Sequence, residues 1–489
     1  MTPNLFFHYF FNVPPSAQYP PADYPVITFV QVVVRVLIGV FALLLAVPPL
    51  VWWERRLLGF MQQRQGPNRV GPFGLLQTIA DGIKLLFKED LNPANVDKTL
   101  FILAPMVFLT PALVTSGVIP WGPSRVWGAP APNVNVGVLY MLAWSSLGVY
   151  GVVLAGWSSN NKYSLLGGLR SSAQLISYEL GMGLAIISVV LITGSLGLQD
   201  IVDKQAFVPI SAALTHYGIA LPAWNVFKFF PMGALATLIY MVCMLAETNR
   251  APFDLPEAET ELVAGYHTEY TSMKFATFFL GEYANMIVVS AILATLFFGG
   301  YHAPIPWLGQ LPAVLVRLYE FNASGGRDLT HWGIPLLTSI INALIPVIWF
   351  TVKILGGLYF FIWIRATLPR LRYDMLMKFG WQGILPVALV NILLLAIGLV
   401  LGYVPAVIAW VLIAALALVA FAKSKPALLF TTNSRRQQTI VLNSGAVPFR
   451  GVPEHTGRGG QTVPPDAKIG GHDIPTTERE TNAVDAAVR

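Results

Sequence analysis

The chain has one cysteine, Cys243, in 489 residues, and it lies inside an apolar run. A single thiol neither ligates an iron–sulfur cluster nor closes an internal disulfide. Charge is scarce too: 11% of residues are Asp, Glu, Lys or Arg, against about 25% in soluble domains. No GxGxxG, GxxxxGKS or GxxxxGKT sequence occurs, so no nucleotide-binding loop is expected. None of the seven histidines falls mid-run, where a bis-histidine haem would need it. The amino terminus has no Lys or Arg before Arg35 and so lacks the charged start of a signal peptide. These absences predict a chain without a redox cofactor or metal of its own.

What is abundant is apolar sequence, at 55% of the chain. Runs of roughly 20 apolar residues read as membrane-crossing helices. They lack the alternation of a lipid-facing barrel. The fold class expected is all-α: a polytopic transmembrane helical bundle of eight or nine spans, with cytoplasmic interfacial helices. The spans fall near 26–50, 100–120, 136–157, 172–196, 224–246, 274–299, 334–364, 384–401 and 404–422. The last two are split by "GYVP" and are open to reading as one re-entrant pair. No internal repeat is visible, which argues against an inverted-repeat transporter. Three regions result: an external segment 1–25, a membrane domain 26–422, and a polar, aperiodic tail 423–489 expected to be disordered. Loops on one side carry 23 Lys and Arg, against four on the other. The positive-inside rule then puts the amino terminus outside and the tail in the cytoplasm of a cell membrane.

Two loops on the basic side stand out. "WWERRLLGFMQQRQGPNRVGPFGLLQTIADGIKLLFKED" follows the first span. Glu54, Arg55 and Arg56 sit at the membrane edge. "GPNRVGP" forms a stiff turn with Arg69 at its tip. Phe73 to Lys88 reads as an interfacial amphipathic helix, with Leu75, Ile79, Ile83, Leu86 and Phe87 on its apolar face. A positive-inside anchor would explain the charges but not a rigid loop that displays an arginine.

The second loop, "AETNRAPFDLPEAETELVAGYHTEY", gathers six of the chain's 25 acids. If helical, Asp254, Glu257 and Glu261 share a face. If extended, Glu257, Glu259 and Glu261 do. Either way carboxylates crowd around Arg250, the one nearby base. Mutual repulsion should then keep some of them protonated near neutral pH. A solvated acidic loop is the alternative, but Phe253 and its apolar neighbours suggest that the loop packs against something. Two further acids, Glu179 and Glu282, lie inside spans, each beside a tyrosine and about 12–14 Å from the basic side. Acids at that depth are expensive and usually functional. A structural pairing with Arg35, Lys228 or Lys353 is the alternative. Together the acids outline a candidate proton path that starts beside an arginine-bearing surface.

Both loops resemble the signature regions of the H-subunit family of respiratory complex I, NADH–quinone oxidoreductase. "SSAQLISYELGMGL" and "FLGEYANM" resemble that family's fourth and sixth spans. The resemblance covers roughly residues 30–400. It implies a membrane subunit of eight or nine helices that forms the membrane part of a quinone chamber and begins a proton-coupling path. Glu54, Arg55, Arg56, Arg69, Arg250 and Phe253 would shape the chamber. Glu247, Asp254, Glu257, Glu259, Glu261, Glu179 and Glu282 would couple protons. Quinone would be a substrate and not a bound group, with flavin and iron–sulfur clusters confined to partner subunits. Partners would be the other complex I subunits and membrane lipid, with no nucleic acid. The quinone itself, ubiquinone or menaquinone, is left open. Two rivals carry over: a related subunit of a membrane-bound hydrogenase or formate hydrogenlyase, and an ion-coupled secondary transporter.

Overall fold

The structure, a computed structural model, describes residues 25–122, 130, 134–206, 208–209, 220–221, 223–254, 264–304 and 334–423. The helices in chain order are α1 (Pro25–Met61), α2 (Gln77–Phe87), α3 (Lys98–Ser116), α4 (Gly137–Ser158), α5 (Lys162–Thr193) and α6 (Leu198–Asp203). They continue as α7 (Met232–Glu247), α8 (Ser272–Phe297), α9 (Ile334–Thr367), α10 (Tyr373–Lys378), α11 (Leu385–Leu401) and α12 (Tyr403–Lys423). Among the described residues the only strands are β1 (Val208–Pro209) and β2 (Ala220–Leu221), a two-residue antiparallel ladder between α6 and α7. The chain divides into a unit of residues 1–419 and one of 420–489.

Seven helices are long and apolar enough to cross a membrane, and two shorter apolar ones lie at Met232–Glu247 and Tyr403–Ile413. In hydrocarbon every peptide group must find its partner within the segment, and a helix achieves this locally. That is why apolar run length alone located these elements. The two last runs form separate helices, α11 and α12, joined at Gly402 with φ 99°. Few side chains other than glycine tolerate that value.

Local chemistry sets several boundaries. The Asp97 side chain caps α3 by accepting from the Thr99 and Leu100 amides. Asn161 caps α5 by accepting from Tyr163 N–H. At the other end of α5, Gly194 takes φ 66° and closes the helix with a bond to Val190 O. Small residues let the helices approach: a Cβ at Gly151 of α4 would lie 2.7 Å from the Phe108 backbone of α3.

Burial ranks the helices. α8 is the hub, with 83% of its most apolar stretch buried inside the protein, against 11% for α1. It packs on α1, α3 and α9. Glu282 is one of the buried residues of this helix.

The interfacial helix begins later than the apolar pattern suggested. Pro72–Gly74 forms a 3-10 turn and the α-helix starts only at Gln77. Phe73 takes φ 54° and Gly74 φ 77°, values that break an α-helix. Trp52 Nε1 and Arg56 Nη1 both donate to the Phe73 carbonyl, at 3.1 and 2.9 Å, and hold the turn in place. A Cβ at Gly74 would meet Pro67 O at 2.2 Å, so glycine alone fits there. The apolar face of α2 remains open, with Ile79, Ile83, Leu86 and Phe87 all exposed.

Candidate functional site

At the centre of the site is a carboxylate under two guanidinium groups. Glu54, near the end of α1, is buried. Its Oε1 accepts from Arg250 Nη1 at 3.3 Å and from Arg365 Nη1. Arg250 lies in the loop after α7, and Arg365 in the last turn of α9. The Arg250 guanidinium also stacks over the Tyr283 ring of α8, 4.4 Å from its centroid. Burial works against the charge on Arg250, but Tyr283, Glu54 and Glu282 outweigh it and push its pKa up.

The acidic loop starts from a tethered base. Gln174 of α5 donates to Ala246 O and Phe253 O, both at 2.9 Å, and to Asn249 Oδ1 at 3.3 Å. Leu371 N donates to Pro252 O at 3.0 Å. Phe253 is buried against Tyr178, with ring centroids 5.5 Å apart. Asp254 pairs with Arg370 at 3.2 Å. The packing inferred from Phe253 is therefore present. The crowding around one base is modified: Arg365 and Arg370, far downstream in sequence, reach the same place. Glu257, Glu259 and Glu261 lie outside the described residues.

Deeper in, Glu282 accepts from Tyr266 Oη at 3.1 Å. Glu179 accepts from Ser145 Oγ at 3.5 Å and from Ser146 Oγ. None of Arg35, Lys228 and Lys353 pairs with them among the described residues. Lys353 is spent on three backbone carbonyls, those of Phe298, Gly300 and His302, at 2.6–2.7 Å. Lys228 donates to Lys204 O, and Arg35 is exposed.

Glu247, at the end of α7, is buried and lines a cavity of about 40 Å³ with Phe108, Ser145, Leu175, Tyr240 and Asn285. Its Oε2 has no hydrogen-bond partner among the described residues. That volume holds roughly three water molecules. The cavity links neighbourhoods: Ser145 touches Glu179, Gly281 and Asn285 flank Glu282 on α8, and Glu247 lies within electrostatic reach of Glu179.

The remaining predicted residues sit apart from this core. Arg55 pairs with Asp81 of α2 at 2.6 Å. Partial burial pulls the Asp81 pKa up, but the bonds from Arg55 and Gln77 and the charges of Arg55 and Lys84 bring it below its ordinary value. Arg56 stacks between Trp52 and Phe73, at 5.4 and 5.5 Å from their ring centroids. Arg69 is exposed.

Sequence reasoning missed Arg365, Arg370, Tyr266, Gln174 and His267. The signal for the arginines in the sequence is the four bases of residues 365–383, Arg365, Arg370, Arg372 and Lys378, which follow the seventh apolar run. His267 is buried between Tyr266 and Phe275. Burial lowers its pKa to about 4, although the Asp254 charge pulls the other way. The folded chain thus binds fewer protons here than the unfolded chain between about pH 6.5 and pH 4. Stability should fall as pH drops through that window, by up to about 1.4 kcal/mol per pH unit. Thermal unfolding of wild type and His267→Gln in detergent tests this. The variant should lose part of the acid-side slope, and parallel curves would exclude His267 as its source.

A multi-pass helical bundle with carboxylates buried beside arginines at one end defines an integral membrane protein equipped to handle charge. The NADH dehydrogenase family model matches residues 33–396. The chain is 45% identical over 379 residues to the second of the numbered H subunits of NADH-quinone oxidoreductase in Koribacter versatilis, covering 74% of this chain and 95% of that one. It is 48% identical over 356 residues to the H subunit of the Rickettsia rickettsii NADH-quinone oxidoreductase, covering 72% and 89%. It is 47% identical over 371 residues to the first of the numbered H subunits of that enzyme in Solibacter usitatus, covering 70% and 90%. The chain belongs to this NADH dehydrogenase family of membrane subunits.

Proposed function

We propose that the chain is the membrane subunit of a proton-pumping NADH–quinone oxidoreductase that forms the membrane part of the quinone site and begins the proton-coupling path. The observation that supports this most is the run of buried and half-buried carboxylates with bases, phenols and a small cavity beside them. It runs from Asp254 and Glu54 through Arg250, Tyr283 and Glu282 to Glu247 and Glu179. Arg250 is within hydrogen-bond or electrostatic reach of Glu54, Tyr283 and Glu282, and Glu247 is within electrostatic reach of Glu179. Asp254 joins through its pair with Arg370, and the cavity beside Glu247 extends to Gly281 and Asn285, next to Glu282 on α8.

Quinone enters from the bilayer along the open apolar face of α2 and the turn that displays Arg69, with Arg55, Arg56 and Phe253 bracing that wall. Its reduction, by electrons held in partner subunits, brings charge and proton demand next to Arg250 and Glu54. In a dry site such a charge acts over several ångströms with little screening. Arg250 carries the perturbation, since it faces Glu54, Tyr283 and Glu282 at once. A proton redistributed at Glu282 reaches Glu247 and Glu179 through the cavity, which is large enough for a short water chain. Glu257, Glu259 and Glu261 extend the acidic supply on the cytoplasmic side. The amino terminus faces outward and the tail lies in the cytoplasm.

Purifying the tagged chain in mild detergent tests this assignment. Flavin-bearing and iron–sulfur subunits should co-purify and reduce quinone with NADH. A nickel-hydrogenase set would replace this reading with the hydrogenase one, and a stable monomer that moves solute alone would replace it with the transporter.

A further inference from the structure

Helices α7, α11 and α12 meet around a second cleft, away from the carboxylates. Leu235, Val387, Val390, Leu394, Trp410 and Ile413 line a volume of about 250 Å³. One polar side chain enters it. Asn391 of α11 is 1% exposed, and neither its Nδ2 nor its Oδ1 has a hydrogen-bond partner among the described residues. An amide offers two donors and an acceptor, and in an apolar setting each unmet bond is costly. An apolar side chain would fill the same space without that cost.

The depth of Asn391 narrows the occupant. It lies six residues after Leu385 and ten before Leu401, so at least about 9 Å from either end of α11. Lipid ester and headgroup oxygens are near the membrane surface, while that depth is hydrocarbon. Acyl chains meet neither half of the amide. The occupant must donate and accept at one point and be apolar elsewhere. A transmembrane helix that carries an amide or hydroxyl side chain does both, and such bonds join helices in membranes. The cleft is too small for a whole helix and admits one inserted side chain. The rest of the helix has a surface to lie on, because Val387, Val390 and Ile413, which line the cleft, are themselves exposed.

The family match ends at residue 396, and α12, with Trp410 and Ile413, lies beyond it.

We propose that the α7–α11–α12 cleft receives a transmembrane helix of a neighbouring membrane subunit, which sets an amide or hydroxyl side chain against Asn391. This rests on the reading of the chain as a subunit of a larger membrane enzyme. The test is photocrosslinking in the whole purified complex, with a diazirine-bearing leucine analogue in place of Val390, an exposed residue of the cleft lining. The expected product is an adduct with one other membrane subunit of that complex, identified by mass spectrometry. Asn391→Leu should lower its yield about fivefold, and Asn391→Gln should lower it less. Adducts confined to lipid, to quinone or to this chain itself would overturn the proposal. So would an unchanged yield in Asn391→Leu. Absence of NADH-oxidising subunits from the preparation would instead signal failure of the functional reading on which the proposal rests.

Discussion

Glu54→Leu is expected to reduce the assembled complex in membranes by at least tenfold. Glu54 is the shared anion of two guanidinium groups, and Arg250 is itself buried. Removing the carboxylate leaves a positive charge in a dry site with its strongest counterion gone. Breaking a buried pair on one side costs about 3–5 kcal/mol, a large part of the roughly 5–15 kcal/mol that holds a typical domain folded. Native gels and thermal unfolding measure the loss. Arg250→Leu on top of Glu54→Leu should recover part of it, because the stranded charge is then gone. If Glu54→Leu accumulates like wild type, the two pairs carry no weight in assembly.

Glu282→Gln should do the opposite: normal assembly, with coupled quinone reduction and proton pumping reduced about tenfold or more. Glutamine is nearly isosteric and its carbonyl still accepts from Tyr266 Oη, so the packing at the α8 hub survives. What it cannot do is take up or release a proton. Tyr266→Phe removes the hydrogen bond and keeps the acid, and should cost much less activity. Equal rates and equal pumping in Glu282→Gln would take Glu282 out of the path.

The two substitutions separate two roles that the sequence left blended. Glu54 and Glu282 are both acids of an apolar chain, and composition treats them alike. In the fold, Glu54 is fastened by two bases and serves to fix the geometry of Arg250. Glu282 accepts from the Tyr266 phenol and lies within electrostatic reach of Arg250. Gln174 adds a third role, since it ties the start of the acidic loop to α5 by three bonds and lets Arg250 and Phe253 hold their positions.

Much of the architecture was legible from local pattern. Each of the nine apolar runs holds a helix, seven of them long and apolar enough to cross a membrane, because such a peptide must satisfy its own backbone. The run 224–246 is helical only from Met232. The acids and the stiff "GPNRVGP" turn were visible for the same reason: residue type and short spacing carry them. The start of α2 was misplaced because a long-range contact decided it. Trp52 and Arg56 hold the Phe73 carbonyl in a turn that the apolar stripe does not encode.

By itself, then, the sequence determined that this is a helical membrane protein without a cofactor-binding motif, with six of its 25 acids in one loop and one inside each of two spans. Only the tertiary structure decided which charge meets which. Glu54 finds Arg250 and Arg365 at separations of 196 and 311 residues, and Asp254 finds Arg370 across more than a hundred. Apolar periodicity is a property of neighbours in the chain. The pairing of buried charges depends on how the helices pack around α8, and no local pattern carries that information.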